Sequence, residues 1–339
     1  MTTPDASGET KPETRPDASE KRRRPEWPGI AECTSVLGIR ILLLVRRLLG
    51  ERIFRLALLP VLAAHWLTNP RLRRVVFAWQ RRANNLSGFL APWGGKPAMR
   101  SGIAQLERFA LAIMEKFAAL SGRGEPAELE VIGDEMFRAD PPGRGAVILT
   151  SHSGCQELLQ SRSGAVTQHP LVILQHTAHA RRFNELLAGA RTEAAGPAPV
   201  FIEIGAEISP AVIMTLSEIV GRGGYVILAG DRTPMGSQAS VRVPFLGAPA
   251  RFPTGGALLA QLLGVPLRMM VCTRPSTERR LYRVHFAELC AEPPKLRRAA
   301  RAAWLEAMTA AHAAELERRM LASPLDWANF YDFWEEFEK

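Results

Sequence analysis

The stretch GAVILTSHSGCQELLQ, residues 145–160, predicts both the fold and a site. It opens with apolar residues whose β-branching is typical of a short buried strand. The turn-forming residues TSHSG follow, and CQELLQ can begin a helix. This order places His152 at the carboxyl end of a strand and Glu157 in the first turn of the next helix. Ligands of open α/β sheets bind at this end of the strands.

The spacing of His152 and Glu157 suits general-base chemistry. A carboxylate on one ring nitrogen fixes the tautomer and raises the basicity, so the other nitrogen can accept a proton. The same H-x4-E spacing also arises by chance around a structural histidine, so the rest of the chain must decide. Ser153 and Cys155 are rival nucleophiles, although no G-x-S-x-G elbow is present.

The length of 339 residues allows one large α/β domain with appendages, or two domains. The four cysteines are far apart and form no C-x2-C pair, so neither a disulfide framework nor a zinc site is indicated. His176 and His179 have metal-ligand spacing, but no nearby carboxylate or cysteine completes a set. We therefore expect no metal and no cofactor.

Charge divides the chain into three parts. Residues 1–26 are polar with balanced charge, and we expect a disordered tail. Residues 27–125 hold fifteen Lys or Arg against five Asp or Glu, whereas residues 126–339 are balanced. Such a basic region indicates a surface for anionic lipid, nucleic acid or an acidic protein. Few aromatic residues lie among the arginines and no nucleic-acid-binding motif is present, so nucleic acid is not expected.

Residues 27–125 predict a basic, amphipathic helical region. Leucines and isoleucines recur at helical spacing between arginines, but no apolar run reaches the eighteen or so residues that a transmembrane helix needs. The pattern favours helices lying in the headgroup region of an anionic membrane. The alternative is a helical hairpin that packs on the domain, with solvated arginines.

Residues 126–339 predict an α/β domain, with a mostly parallel central sheet flanked by helices, because strand and helix patterns alternate. Seven strands are predicted at 129–132, 146–150, 171–175, 200–204, 225–229, 267–272 and 281–286. Helices are predicted near 155–163, 178–190, 209–221, 253–263 and 295–321.

Two further stretches resemble binding segments. Asp231 and Arg232 follow the strand 225–229 and so occupy the same kind of position as His152, although a local surface ion pair is the alternative. The stretch VRVPFLGAPA, residues 241–250, predicts an irregular loop that could line an apolar channel or pack in the core. Its candidate substrate-binding residues are Pro244, Phe245 and Gly247.

These features together resemble the bacterial lipid A biosynthesis acyltransferase family, the late group that adds secondary acyl chains and is related to lysophospholipid acyltransferases. The resemblance covers about residues 27–337. It rests on His-x4-Glu after one strand, Arg181-Arg182-Phe183-Asn184 after the next, and then Gly230-Asp231-Arg232 and Val243-Pro244-Phe245-Leu246-Gly247. Ser153 to Gln156 replace the family's aromatic and Asn-Trp residues, and Arg232 stands where Gln is frequent. In these departures and in its aromatic residues 327–334, the chain is closer to family members outside the lipid A pathway.

The resemblance implies transfer of a fatty acyl chain from an acyl thioester, acyl-ACP or acyl-CoA, to a hydroxyl or amine of a membrane lipid. It also implies a place on the cytoplasmic side of the bacterial inner membrane and a mechanism without an acyl-enzyme. His152 would be the base and Glu157 its partner. Arg232, beside Asp231, and the backbone N–H groups of Ser153 and Gly154 would stabilise the oxyanion. Further substrate-binding candidates are Arg181, Arg182 and Asn184.

Two other classes of function remain open on the sequence alone. A lipid-binding or lipid-transfer module without turnover would use His152 and Glu157 structurally. A thioesterase-like hydrolase would use water in place of the lipid acceptor.

Overall fold

The computed structural model describes residues 36–121, 127–162, 169–175, 199–205, 208–233, 239–275 and 279–334. The predicted tail, the predicted helix near 178–190, and Arg181, Arg182, Asn184, His176 and His179 lie outside these residues. Among the described residues, three α-helices precede the first strand, and a long α-helix follows the last one. The described helices are α1 (Val36–Thr68), α2 (Pro70–Ser87), α3 (Met99–Ser121), α4 (Glu135–Ala139), α5 (Glu157–Arg162), α6 (Pro210–Gly221), α7 (Gly255–Leu263) and α8 (Arg298–Ala322).

The central sheet has seven strands, which confirms the predicted mixed α/β fold. Its order is β1-β9-β8-β2-β5-β3-β4, and all neighbours are parallel except β8 and β9. Strands β2 and β8 are buried along their whole length, as is typical of parallel strands covered on both faces. The strands are β1 (Glu128–Ile132), β2 (Ala146–Thr150), β3 (Leu171–Gln175), β4 (Val200–Glu203), β5 (Tyr225–Ala229), β8 (Leu267–Thr273) and β9 (Leu281–Cys290).

The prediction of an irregular loop at residues 241–250 is wrong, because this stretch forms an antiparallel hairpin. Strand β6 (Ser240–Phe245) pairs with β7 (Ala248–Pro253). Leu246 and Gly247 form its two-residue turn with φ values of 50° and 76°. Positive φ at both positions matches the twist of the flanking strands. The prolines obscured this pattern, but a two-stranded ribbon tolerates residues without an N–H at its edges.

Helix α1 buries one apolar stripe and exposes another. Phe54, Leu58, Leu62 and Trp66 recur every four residues and pack in a cluster with residues of α2 and α3. The helix is interrupted at Gly50, whose φ of 79° is left-handed. Within the described ranges, no helix combines the length and the apolar character that crossing a bilayer requires.

Buried ion pairs connect the N-terminal helices to the sheet. The buried carboxylate of Glu115 on α3 lies 2.7 Å from the guanidinium of Arg46 on α1 and 2.8 Å from that of Arg280, next to β9. A buried carboxylate is costly without a partner, so these two arginines stabilise the packing of α1 and α3 on the sheet. Helix α3 also packs along α5, and this contact bears directly on Glu157.

Candidate active site

The register of β2 and β5 brings His152 and Asp231 together. Thr150 lies opposite Ala229 at the ends of this parallel pair. His152 and Asp231 each follow the last residue of their strand by two positions. Nδ1 of His152 lies 2.9 Å from Oδ1 of Asp231. The backbone N–H of His152 donates to Oδ2 of the same carboxylate at 2.7 Å. One carboxylate therefore holds both the ring and the backbone of the histidine.

Asp231 is fully buried and ionised. Burial opposes ionisation, but the imidazole of His152 and the guanidinium of Arg232 outweigh it and hold the pKa of Asp231 far below its usual range. An ionised carboxylate only accepts hydrogen bonds. Nδ1 of His152 must therefore carry the proton, which leaves Nε2 as the acceptor.

The ring of His152 remains accessible as a base. Its side chain is 36% exposed, unlike that of Asp231. Desolvation lowers the pKa of His152 below its usual value, Arg232 lowers it further, and the negative charge of Asp231 opposes them. The imidazole is consequently neutral near pH 7 and can accept a proton.

Glu157 does not have the contact that the sequence predicted. Its Oε1 lies 2.6 Å from Nζ of Lys116, and no hydrogen bond or ion pair joins Glu157 to His152 in the described part of the chain. Burial opposes ionisation of Glu157, but Lys116 outweighs it and lowers the pKa of this carboxyl. The reason is packing: Glu157 begins α5, which lies against α3 and its Lys116.

The turn after β2 has an internal hydrogen bond, and its role towards an oxyanion stays a prediction. The N–H of Ser153, expected to serve as an oxyanion donor, donates to the carbonyl of Ser151 at 2.9 Å. The hydroxyls of the two serines lie 2.9 Å apart and are buried. Gly154 has a φ of 55°, and a Cβ there would lie 2.6 Å from the carbonyl oxygen of Cys272. Glycine thus allows this turn to approach β8 closely.

The C-terminal segment, defined as residues 327–334, completes the site and was missed as a source of site residues. The N–H of Ala328 donates to the carbonyl of His152 at 3.0 Å. Nδ2 of Asn329 donates to Oδ2 of Asp231 at 2.8 Å, and the hydroxyl of Tyr331 donates to the carbonyl of Asp231 at 3.3 Å. The only sequence signal was the aromatic character of this segment, which does not say what it contacts.

Arg232 is held against the C-terminal segment. Its Nε donates to Oδ1 of Asn329 at 2.6 Å, and its Nη2 donates to the carbonyl of Ala328 at 3.4 Å. The guanidinium also lies 5.9 Å from the ring centroid of Tyr331. A positive charge is therefore fixed close to His152.

The hairpin residues lie in two environments. Phe245 is fully buried between aromatic rings, including those of Trp79 and Trp327. Pro244 and Gly247 are exposed. Phe245 is thus a core residue in this structure, and substrate binding by the hairpin stays a prediction. Among the described residues, no group of three His, Cys, Asp or Glu is arranged to hold a metal.

The thiol of Cys155 is expected to be unreactive. It is buried, and burial together with the charge of Glu157 raises the pKa of Cys155 well above its ordinary value. Iodoacetamide at pH 7.5 should leave this residue unmodified, because the thiolate is the nucleophile. Peptide mass spectrometry would measure this, with the half-buried Cys290 as the reagent control. Alkylation of Cys155 in proportion to lost activity would contradict the expectation.

Comparison with known proteins gives a family match. The family model described as bacterial lipid A biosynthesis acyltransferase matches residues 101–335, which include His152, Asp231 and Asn329. No curated protein matches the chain.

Proposed function

The chain belongs to the bacterial lipid A biosynthesis acyltransferase family, and we propose that it transfers a fatty acyl group from an acyl thioester to a hydroxyl or amine of a membrane lipid. The observation that carries this proposal is the 2.9 Å contact between His152 and Asp231 at the carboxyl ends of two parallel strands. It supplies a neutral, oriented base on the sheet edge where ligands of such folds bind.

The reaction begins when Nε2 of His152 accepts the proton of the lipid hydroxyl or amine. The lipid oxygen or nitrogen forms a bond to the thioester carbonyl carbon, and the carbonyl oxygen becomes negatively charged. Asp231 stabilises the imidazolium that results, since its charge lies 2.9 Å from Nδ1. The C–S bond then breaks, and the thiolate of the carrier takes the proton back from His152. Direct transfer of this kind needs no acyl-enzyme.

Arg232 is proposed as the group that stabilises the oxyanion. Asn329 accepts a hydrogen bond from its Nε and the carbonyl of Ala328 accepts one from its Nη2, so the charge is fixed before the reaction starts. Removal of one preorganised hydrogen-bond donor to an oxyanion typically costs about 2.7–4 kcal/mol of transition-state stabilisation. The internal bond of Ser153 leaves the turn less able to supply this stabilisation than the sequence suggested.

Arg232 also gives a signed pH prediction. Protonation of His152 removes the base, so kcat/KM falls as the pH drops through the pKa of this residue. Arg232→Gln removes a positive charge that lowers this pKa, and the acid limb of the pH profile should move to higher pH. Arg232→Lys retains the charge and should leave the limb near its wild-type position. If the acid limb is unchanged in Arg232→Gln, or moves to lower pH, then Arg232 does not lower the pKa of a catalytic His152.

The N-terminal helices are proposed to hold the protein on the cytoplasmic face of the inner membrane. Helix α1 exposes Leu48, Leu56 and Leu67 at 69%, 66% and 63%. Helix α2 carries an open cleft of about 370 Å³ that is lined partly by Arg73, Arg74 and Arg81. Apolar side chains beside arginines suit the interface of an anionic leaflet.

Membrane binding is expected to depend on the arginines of α2. Changing the exposed Arg71, Arg74 and Arg81 together to Gln should weaken binding to vesicles containing phosphatidylglycerol by roughly 100-fold, because each charge contributes about 1 kcal/mol. Co-sedimentation would measure this, with phosphatidylcholine vesicles for comparison.

The matched control changes the same number of charges elsewhere. Arg138, Arg279 and Arg318 are 72%, 67% and 62% exposed and lie on other elements. Their replacement by Gln should weaken binding much less. Equal losses from both triple variants would show that net charge alone is responsible.

The proposed function is tested with purified protein and a bacterial membrane lipid extract. Labelled acyl-ACP and, in parallel, acyl-CoA of the same chain length serve as donors. Label should move into a lipid, whose mass identifies the acceptor. Transfer from neither donor would contradict the proposal, and free fatty acid as the sole product would favour a hydrolase instead.

A further inference from the structure

Contacts of residues other than Asn329 also hold the C-terminal segment at the site. Trp327 stacks on Trp79 at 4.5 Å between ring centroids, and its carbonyl accepts a hydrogen bond from the buried Gln105 at 2.9 Å. The segment also forms an antiparallel bridge with the turn after β2, between Trp327 and Ser153. These contacts hold the segment in addition to the hydrogen bonds of Asn329.

Asn329 makes two bonds of opposite polarity. Its Nδ2 donates to Oδ2 of Asp231 at 2.8 Å, and its Oδ1 accepts from Nε of Arg232 at 2.6 Å. The orientation of the amide follows from its partners, because an ionised carboxylate only accepts and a guanidinium only donates. The side chain is buried, so water does not easily replace either bond.

These bonds act on the carboxylate that faces His152. Oδ2 of Asp231 is shared by the N–H of His152 and the amide of Asn329, while Oδ1 faces the ring. Two donors on Oδ2 fix the rotation of the carboxylate and so direct Oδ1 towards Nδ1. The same amide gives Arg232 a neutral acceptor at a fixed position.

We propose that Asn329 is a positioning residue for the acyl transfer, acting through Asp231 on the tautomer of His152 and simultaneously on the placement of Arg232. This inference rests on the proposed function of His152 as the base. It predicts a loss in the chemical step and not in substrate binding.

Three variants of Asn329 distinguish the contribution of its donor, Nδ2, from that of its acceptor, Oδ1. Asn329→Leu removes both, and Asn329→Asp keeps the acceptor for Arg232 but replaces the donor to Asp231 with a carboxylate oxygen that repels it. We expect kcat to fall about 10- to 100-fold in both with little change in KM, since a hydrogen bond to a charged group is lost. Asn329→Gln keeps both groups on a longer side chain and should recover part of kcat.

The control variant is Gln105→Leu. It removes a buried hydrogen bond to the same segment without contacting Asp231. We expect it to lower thermal stability with a much smaller loss of kcat. A second measurement is independent of activity: ¹⁵N NMR of the imidazole should show a smaller fraction of the Nδ1–H tautomer of His152 in Asn329→Leu than in wild type, because the rotation of the Asp231 carboxylate is no longer fixed.

The proposal is overturned if Asn329→Asp and Asn329→Leu lose no more kcat than Gln105→Leu and the tautomer of His152 is unchanged. If wild type is active and His152→Ala inactive while the Asn329 variants behave in this way, only the role of Asn329 fails. A fully active His152→Ala would instead remove the proposed function on which the inference rests.

Discussion

His152→Ala is expected to lower kcat/KM for acyl transfer by about 10²- to 10⁴-fold, the usual contribution of a positioned general base. No other imidazole forms a hydrogen bond with Asp231 in the described part of the chain, so no second base replaces it. The fold should persist, because Asp231 keeps donors from the backbone of His152 and from Asn329.

The measurement is transfer of labelled acyl groups to the lipid acceptor, with thermal unfolding and vesicle binding as controls. Unchanged folding and vesicle binding with lost transfer would exclude a purely lipid-binding module. Activity within about tenfold of wild type would contradict the assignment of His152 as the base.

Asp231→Asn is expected to cost on the order of 10²- to 10⁴-fold in kcat/KM. In a catalytic triad with the same logic, the corresponding change costs about 10⁴-fold because the imidazole adopts the wrong tautomer. Here the carboxylate accepts three hydrogen bonds, from Nδ1 and the N–H of His152 and from Nδ2 of Asn329. An amide offers one oxygen and one NH2 group, so it cannot accept all three.

Glu157→Gln is the matched comparison for this second prediction. The carboxylate of Glu157 binds Lys116 and lies in the first turn of α5. Replacing it with the neutral amide of Gln should therefore mainly weaken the contact between α5 and α3. The loss of kcat/KM should be clearly smaller than in Asp231→Asn. An equal or larger loss would indicate that Glu157 reaches His152 during the reaction, as the sequence suggested.

The sequence predicted the strand ends and the mixed α/β fold because local patterns determine them. The apolar run before Thr150 and the one before Gly230 each form a strand, and each is followed by the polar residues that enter the site. The contact of His152 in the structure differs from the one expected from the sequence for a physical reason. Spacing along the chain favoured Glu157, whereas the register of β2 on β5 places Asp231 at the ring.

The contribution of the C-terminal segment was beyond sequence reasoning. Asn329 lies 98 residues from Asp231 along the chain, and no spacing rule joins them. The hairpin at 240–253 was missed because its prolines resemble a loop, while its turn depends on a left-handed Leu246, which sequence patterns do not reveal. Long-range packing decides both features.

The most direct test of the central claim is a double-mutant cycle between His152→Ala and Asp231→Asn, with acyl transfer as the readout. If Asp231 acts through His152, its replacement should cost about 10²-fold or more in wild type and almost nothing in the His152→Ala background. Equal costs of Asp231→Asn in both backgrounds would contradict the account, because Asp231 would then act independently of the imidazole.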